Sequence, residues 1–175
     1  KFSASAAHRW LHCPGSVFLC EKMPRRDSVF SKEGTVAHTL AEQCFVGDLL
    51  FPEEALGQTI DGVEVTQEMV DAVQLLIETV DNFLAGKTEY EVQLSLDLKI
   101  GKKAGDLFGT SDVLHVLKEI KRLLITVCDF KYGKHVAVEV SENPQLMYYG
   151  LGAISREMKA QKKKDIVKFI QENNV

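Results

Sequence analysis

Apolar and polar positions alternate along this chain with two different periods, and the change between them divides it. Before residue 88 the period is helical. Ser5 caps a predicted short helix through Ala6, Ala7, Trp10 and Leu11, which Cys13-Pro14-Gly15 stops. Met23 to Lys32, with Pro24, Arg25 and Arg26, reads as a loop. Val36, Ala37, Leu40, Ala41, Cys44 and Phe45 then predict a helix from about Thr35 to Val46. The Asp61-Gly62 turn marks a surface connection or small hairpin within Pro52 to Val65. Thr66 caps an amphipathic helix running to Ala85, with Met69, Val70, Val73, Leu76, Ile77, Val80 and Leu84 on its apolar face.

From Tyr90 the period becomes two. Tyr90, Val92, Leu94 and Leu96 predict a first strand, and strands at about 109–117 and 123–131 predict a hairpin. Val136, Val138 and Val140 predict a short further strand. Asn143-Pro144 opens a helix carrying Leu146, Met147, Leu151, Ile154 and Met158. Beyond the solvated Lys162-Lys163-Lys164 run, Ile166 to Ile170 reads as a last strand. The expectation is one α/β domain over residues 1–175, with a helical segment (1–88) and a sheet core (89–175). Its strands form a central mixed sheet flanked by helices, in the order αβββαβ.

Composition adds boundaries rather than detail. The 175 residues carry 45% hydrophobic and 26% charged side chains, a mean hydropathy near zero and a formal charge of −4. No apolar run approaches the roughly 20 residues of a membrane span, so a cytoplasmic protein is expected. The net charge argues against a DNA-coating protein, which would be basic, but not against an enzyme whose acidic site holds cations. Cys13, Cys20, Cys44 and Cys128 form no C-x-x-C pair and read as reduced thiols.

The chemistry concentrates in the predicted hairpin. Centred between Ile120 and Lys121, it sets Asp112 opposite Asp129, and Lys131 follows two residues later on the same face. Two close carboxylates repel unless a cation lies between them, and hard oxygen ligands suit Mg2+ or Mn2+. A lysine beside such an ion can hold a phosphate. Together these residues predict a metal-dependent phosphodiesterase. His38 and Glu42 share a helical face, as do Gln145 and Tyr149. Glu91 reads as solvent-facing or as ordering the site.

Four segments, in order, resemble the motifs of the PD-(D/E)XK nuclease superfamily, in its RecB-like exonuclease branch with phage and prophage relatives. They are Glu33-Gly34-Thr35-Val36-Ala37-His38, Gly109-Thr110-Ser111-Asp112, Asp129-Phe130-Lys131, and Gln145 with Tyr149. The resemblance implies a restriction-endonuclease-like core. It implies that His38, Asp112, Asp129 and the Phe130 carbonyl ligate Mg2+ or Mn2+, and that Lys131 is catalytic with the two aspartates. It implies that Gln145 and Tyr149 meet DNA; Lys134, in the loop after Lys131, is a further candidate phosphate contact. The branch's iron–sulfur cluster is not expected, because no cysteine follows Cys128. The implied activity is a DNA exonuclease of phage recombination or DNA processing, in the bacterial host cytoplasm if phage-encoded. Its partners would be linear duplex or single-stranded DNA, and a second copy or a recombination protein. A binding protein that kept the fold without cutting, and a structure-specific endonuclease, are the alternatives.

Overall fold

The computed structural model describes residues 2–23, 29–83, 85–96, 99–100, 103–104, 107–133 and 138–175. In chain order its elements begin with β1 (Phe2–Ser3), α1 (Ala7–His12), α2 (Ser16–Glu21) and α3 (Val29–Val46). There follow β2 (Thr59–Ile60), β3 (Val63–Glu64), α4 (Gln67–Asp81) and β4 (Lys87–Leu96). The remainder are β5 (Lys99–Ile100), β6 (Lys103–Ala104), β7 (Leu107–Glu119), β8 (Arg122–Cys128), α5 (Pro144–Ala160) and α6 (Ile166–Asn173). The fold is mixed α/β, with helices flanking a mixed sheet. It forms two compact units: Lys1–Pro24, Ala85–Asp129 and Glu139–Val175 in the first, Arg25–Leu84 and Phe130–Val138 in the second.

The first unit is organised by β7. Its opening residues pair in parallel with β1, while β4 and β8 pair with it antiparallel. The β7–β8 ladder closes at Glu119↔Arg122, so the hairpin turns on Ile120 and Lys121 as the sequence predicted. From Val113 to Val116 β7 is buried on both faces, which a central strand covered on both sides requires. The core contains Leu94, Leu96, Leu107, Leu114, Val116 and Leu123 from the strands, Tyr148, Tyr149 and Ala153 from α5, and Phe169 from α6. A fully buried side chain of this size stabilises by about 1.5–3 kcal/mol. Asn143 caps α5 as expected, its side chain accepting from the Gln145 and Leu146 amides at 2.9 and 3.2 Å.

Two expectations fail beyond β8. Ile166 to Ile170 lies in helix α6, not in a strand. Asp165 accepts from the Lys168 amide at 3.0 Å, and Ile166, Phe169 and Ile170 turn inward at helical spacing. The expected strand at Val136 to Val140 falls partly outside the described residues, and Val138 to Val140 lie in no strand. The structure adds β1, held by Trp10 through Nε1–H donating to the Ser3 carbonyl at 2.8 Å.

In the second unit α3 and α4 pack together with the β2–β3 hairpin and the 3-10 turn Pro52–Ala55. Asp61 and Gly62 both have positive φ, 48° and 78°, the turn that fits a two-residue hairpin. Thr66 caps α4 by accepting from the Met69 amide at 3.3 Å, and Met69, Val70, Val73, Leu76 and Val80 are buried. That helix ends at Asp81, short of the expected Ala85, and Leu84 lies outside the described residues. Helix α3 begins at Val29, so residues 29–32 are helical rather than loop. All four cysteines are free thiols, with Cys13 exposed and the others half-buried.

Candidate functional site

The backbone register of the first unit sets three acidic residues level with one another. Tyr90 pairs with Val113 and Val92 with Ser111, so Glu91 lies across from Asp112. On the other side the β7–β8 ladder ends at Val113↔Cys128, and Asp129 follows one step later, level with Asp112. Glu91, Asp112 and Asp129 therefore come from β4, β7 and the residue after β8, with Asp112 at the centre. Carboxylate oxygens of Glu91 and Asp112 lie within 4.8 Å of each other. Like charges directly opposite in a sheet are destabilising. Glu91 also adopts φ 48°, a left-handed conformation that is uncommon for a glutamate inside a strand. Backbone strain and charge repulsion thus coincide at one residue pair, and a hard divalent cation is the ligand that would relieve the repulsion.

The surroundings fix these acids in place. Ser111 is fully buried, and its hydroxyl donates to the Val113 carbonyl at 3.0 Å and to the Cys128 carbonyl at 3.4 Å. The Gln145 amide Nε2 donates to Asp129 Oδ1 at 2.8 Å and to the Tyr149 hydroxyl at 2.9 Å. Tyr149 is 3% exposed, so it supports Gln145 from the core; the DNA contact expected of it would need an exposed ring. Burial pushes the Tyr149 hydroxyl up to about 12, against the Gln145 hydrogen bond and with Asp129, Asp112 and Glu91 adding negative potential. Burial also raises the Cys128 thiol, with the Asp112 charge adding to it. Gly109 earns its place by close approach: a Cβ there would stand 2.5 Å from Ala4 Cβ and 2.8 Å from Tyr149 Cε1.

The remaining motif residues belong to the second unit. His38, half-buried on α3, sets its ring edge-on to Phe130, with centroids 5.3 Å apart and planes at 64°. Glu33 and Gly34 lie earlier on the same helix, where a Cβ on Gly34 would lie 3.6 Å from the Tyr132 carbonyl oxygen. The helical motif and the Phe130-Lys131-Tyr132 segment are thereby brought together. Strand β8 stops at Cys128, so Asp129 and Lys131 do not share a strand face as expected; Lys131 is exposed in the segment that follows. Lys134 lies outside the described residues.

Glu91 is the site residue that the sequence left open. Its position depends on the β4–β7 register, which the intervening β5–β6 hairpin hides from residue counting. A family profile described as a protein of unknown function (DUF2800) matches residues 1–166. The chain belongs to the DUF2800 family. No solved structure matches it. In this DUF2800 member the carboxylate row, the buried Ser111 and the Gln145–Tyr149 support all lie within the matched residues.

Proposed function

We propose that the protein is a divalent-metal-dependent nuclease that hydrolyses phosphodiester bonds in DNA. The proposal includes a restriction-endonuclease-like core and an exonuclease of the phage or prophage recombination type, both carried by the motif resemblance. The observation that supports the chemistry most is the Glu91–Asp112 carboxylate pair on neighbouring strands, with Asp129 level with Asp112 just beyond β8. These oxygens suit Mg2+ or Mn2+. Such an ion, when bound, supplies Lewis acidity and a nucleophilic water to phosphodiester hydrolysis.

The chain's own groups have separable parts. Gln145 holds Asp129 in one orientation, and Tyr149 holds Gln145. Lys131, two residues beyond Asp129 in the D-x-K order, neutralises charge on the phosphate. His38 enters as a candidate ligand on its sequence motif. Linear and covalently closed circular DNA, incubated with Mg2+, Mn2+ or EDTA, provide the test. Metal-dependent loss of linear DNA alone supports an exonuclease, and loss of both forms an endonuclease. Intact DNA of both forms at every metal concentration, with folded protein, refutes the enzyme.

A further inference from the structure

The second unit contains a cavity of about 490 Å³, within the roughly 300–1,000 Å³ of small-molecule sites. Its walls include Phe30, Glu33, Glu64, Glu68, Lys131 and Tyr132. We propose that this cavity is a nucleobase site, which takes one unpaired, amino-bearing base from a single-stranded or frayed DNA end. The proposal rests on the nuclease reading for the identity of the polymer, and the two sites share Lys131. The site itself is additional to the carboxylate row.

Three features select a base over the other parts of a nucleotide. First, Phe30 and Tyr132 offer aromatic rings, and Phe30 stands 52% exposed at the wall of the cavity. Bases stack on such rings whatever their sequence. Second, three carboxylates face one lysine among the six walls named, an excess of two negative charges that disfavours a phosphodiester inside. Carboxylates instead accept hydrogen bonds from exocyclic amino groups, as glutamate does from cytosine N4. Thymine has no such amino group. Third, Lys131 belongs to the same wall, where its ammonium can donate a hydrogen bond to the phosphate attached to an inserted base. A base inside a duplex has its amino group paired and its faces stacked, so the site favours ends that are already open.

The test uses the full chain in EDTA, where nothing is cut, with single-stranded 10-mers carrying a terminal 2-aminopurine. Stacking in the cavity quenches the probe. The expected result is saturable quenching, displaced by dCMP at lower concentration than by dTMP. Phe30→Ala and Tyr132→Ala weaken binding roughly 5- to 150-fold, the value of one base–aromatic stack. Tyr132→Phe keeps the ring and restores binding, which separates ring loss from misfolding. Absent quenching, equal competition by dCMP and dTMP, or displacement by spermidine but by neither nucleotide would overturn the proposal. Quenching without cleavage in metal supports the base site while refuting the nuclease. Cleavage without quenching does the reverse.

Discussion

Glu91 gives the sharpest test of whether the sheet stores strain and repulsion for a cation. Its carboxylate and that of Asp112 come within 4.8 Å, and its backbone sits at φ 48°. Two unit charges at that distance repel by about 1 kcal/mol in a water-like medium and by about 3.5 kcal/mol at an effective dielectric of 20. Because Glu91 is exposed, the lower figure applies. A left-handed glutamate adds about 1–2 kcal/mol of backbone cost that glycine does not bear. Glu91→Gln removes the charge and keeps the backbone, which set against the Asp112 charge alone is worth at most about 1 kcal/mol to the metal-free protein. Glu91→Gly removes both, and should stabilise it by about 1 kcal/mol more. In a chain of this length each kcal/mol moves Tm by roughly 2–4 °C. Thermal unfolding in EDTA at low and at high salt separates the two terms. Salt screens the gain of Glu91→Gln but not the additional gain of Glu91→Gly. With Mn2+ added the order inverts, because the wild type gains most from a ligand that binds only the folded state. A lower Tm for Glu91→Gln in EDTA, or a Glu91→Gly variant no more stable than Glu91→Gln, would refute the reasoning.

Other substitutions test the supports of the site. Gly109→Ala drives a methyl into Ala4 and Tyr149, and should cost about 1–3 kcal/mol in denaturant unfolding; an unchanged midpoint would contradict the packing. Gln145→Leu removes one hydrogen bond to Asp129 and should weaken Mn2+ binding about 10- to 100-fold by calorimetric titration, whereas Tyr149→Phe, which leaves the Gln145–Asp129 bond in place, should cost less. Burial raises the hydroxyls of Tyr148 and Tyr149 to about 12 in the folded protein. A folded value above the unfolded one means that this stability is complete below about pH 10 and is lost as pH rises toward 12. Absorbance titration should then show Tyr148 and Tyr149 ionising late, together with unfolding.

Local signals in the sequence carried much of this architecture. Thr66 and Asn143-Pro144 announced two helix starts through side chains that cap whatever lies beyond them. Asp61-Gly62 named its turn, and counting from Ile120 and Lys121 placed Asp112 level with Asp129. What escaped depends on contacts remote in sequence. The β4–β7 register, and Glu91 with it, is set across a connection that contains its own hairpin. Helix α6 escaped because five apolar-rich residues fit either period, and the inward turn of Phe169 is decided by α5. Strand β1 is two residues long and exists because β7 offers it an edge. Gln145 and Tyr149 were recognisable as a pair, but their grip on Asp129 required the sheet and α5 to be seen together.

The central claim is that acidic residues on this sheet, with the lysine of the D-x-K segment, hydrolyse DNA. Cleavage of linear DNA in Mn2+ by the wild type, Asp112→Asn and Lys131→Ala, alongside Mn2+ titration of each, tests it directly. The wild type should bind Mn2+ and cut. Lys131→Ala binds Mn2+ without cutting, and Asp112→Asn does neither. Folded wild-type protein that neither binds Mn2+ nor cuts, or an Asp112→Asn variant that cuts as well as the wild type, would contradict it.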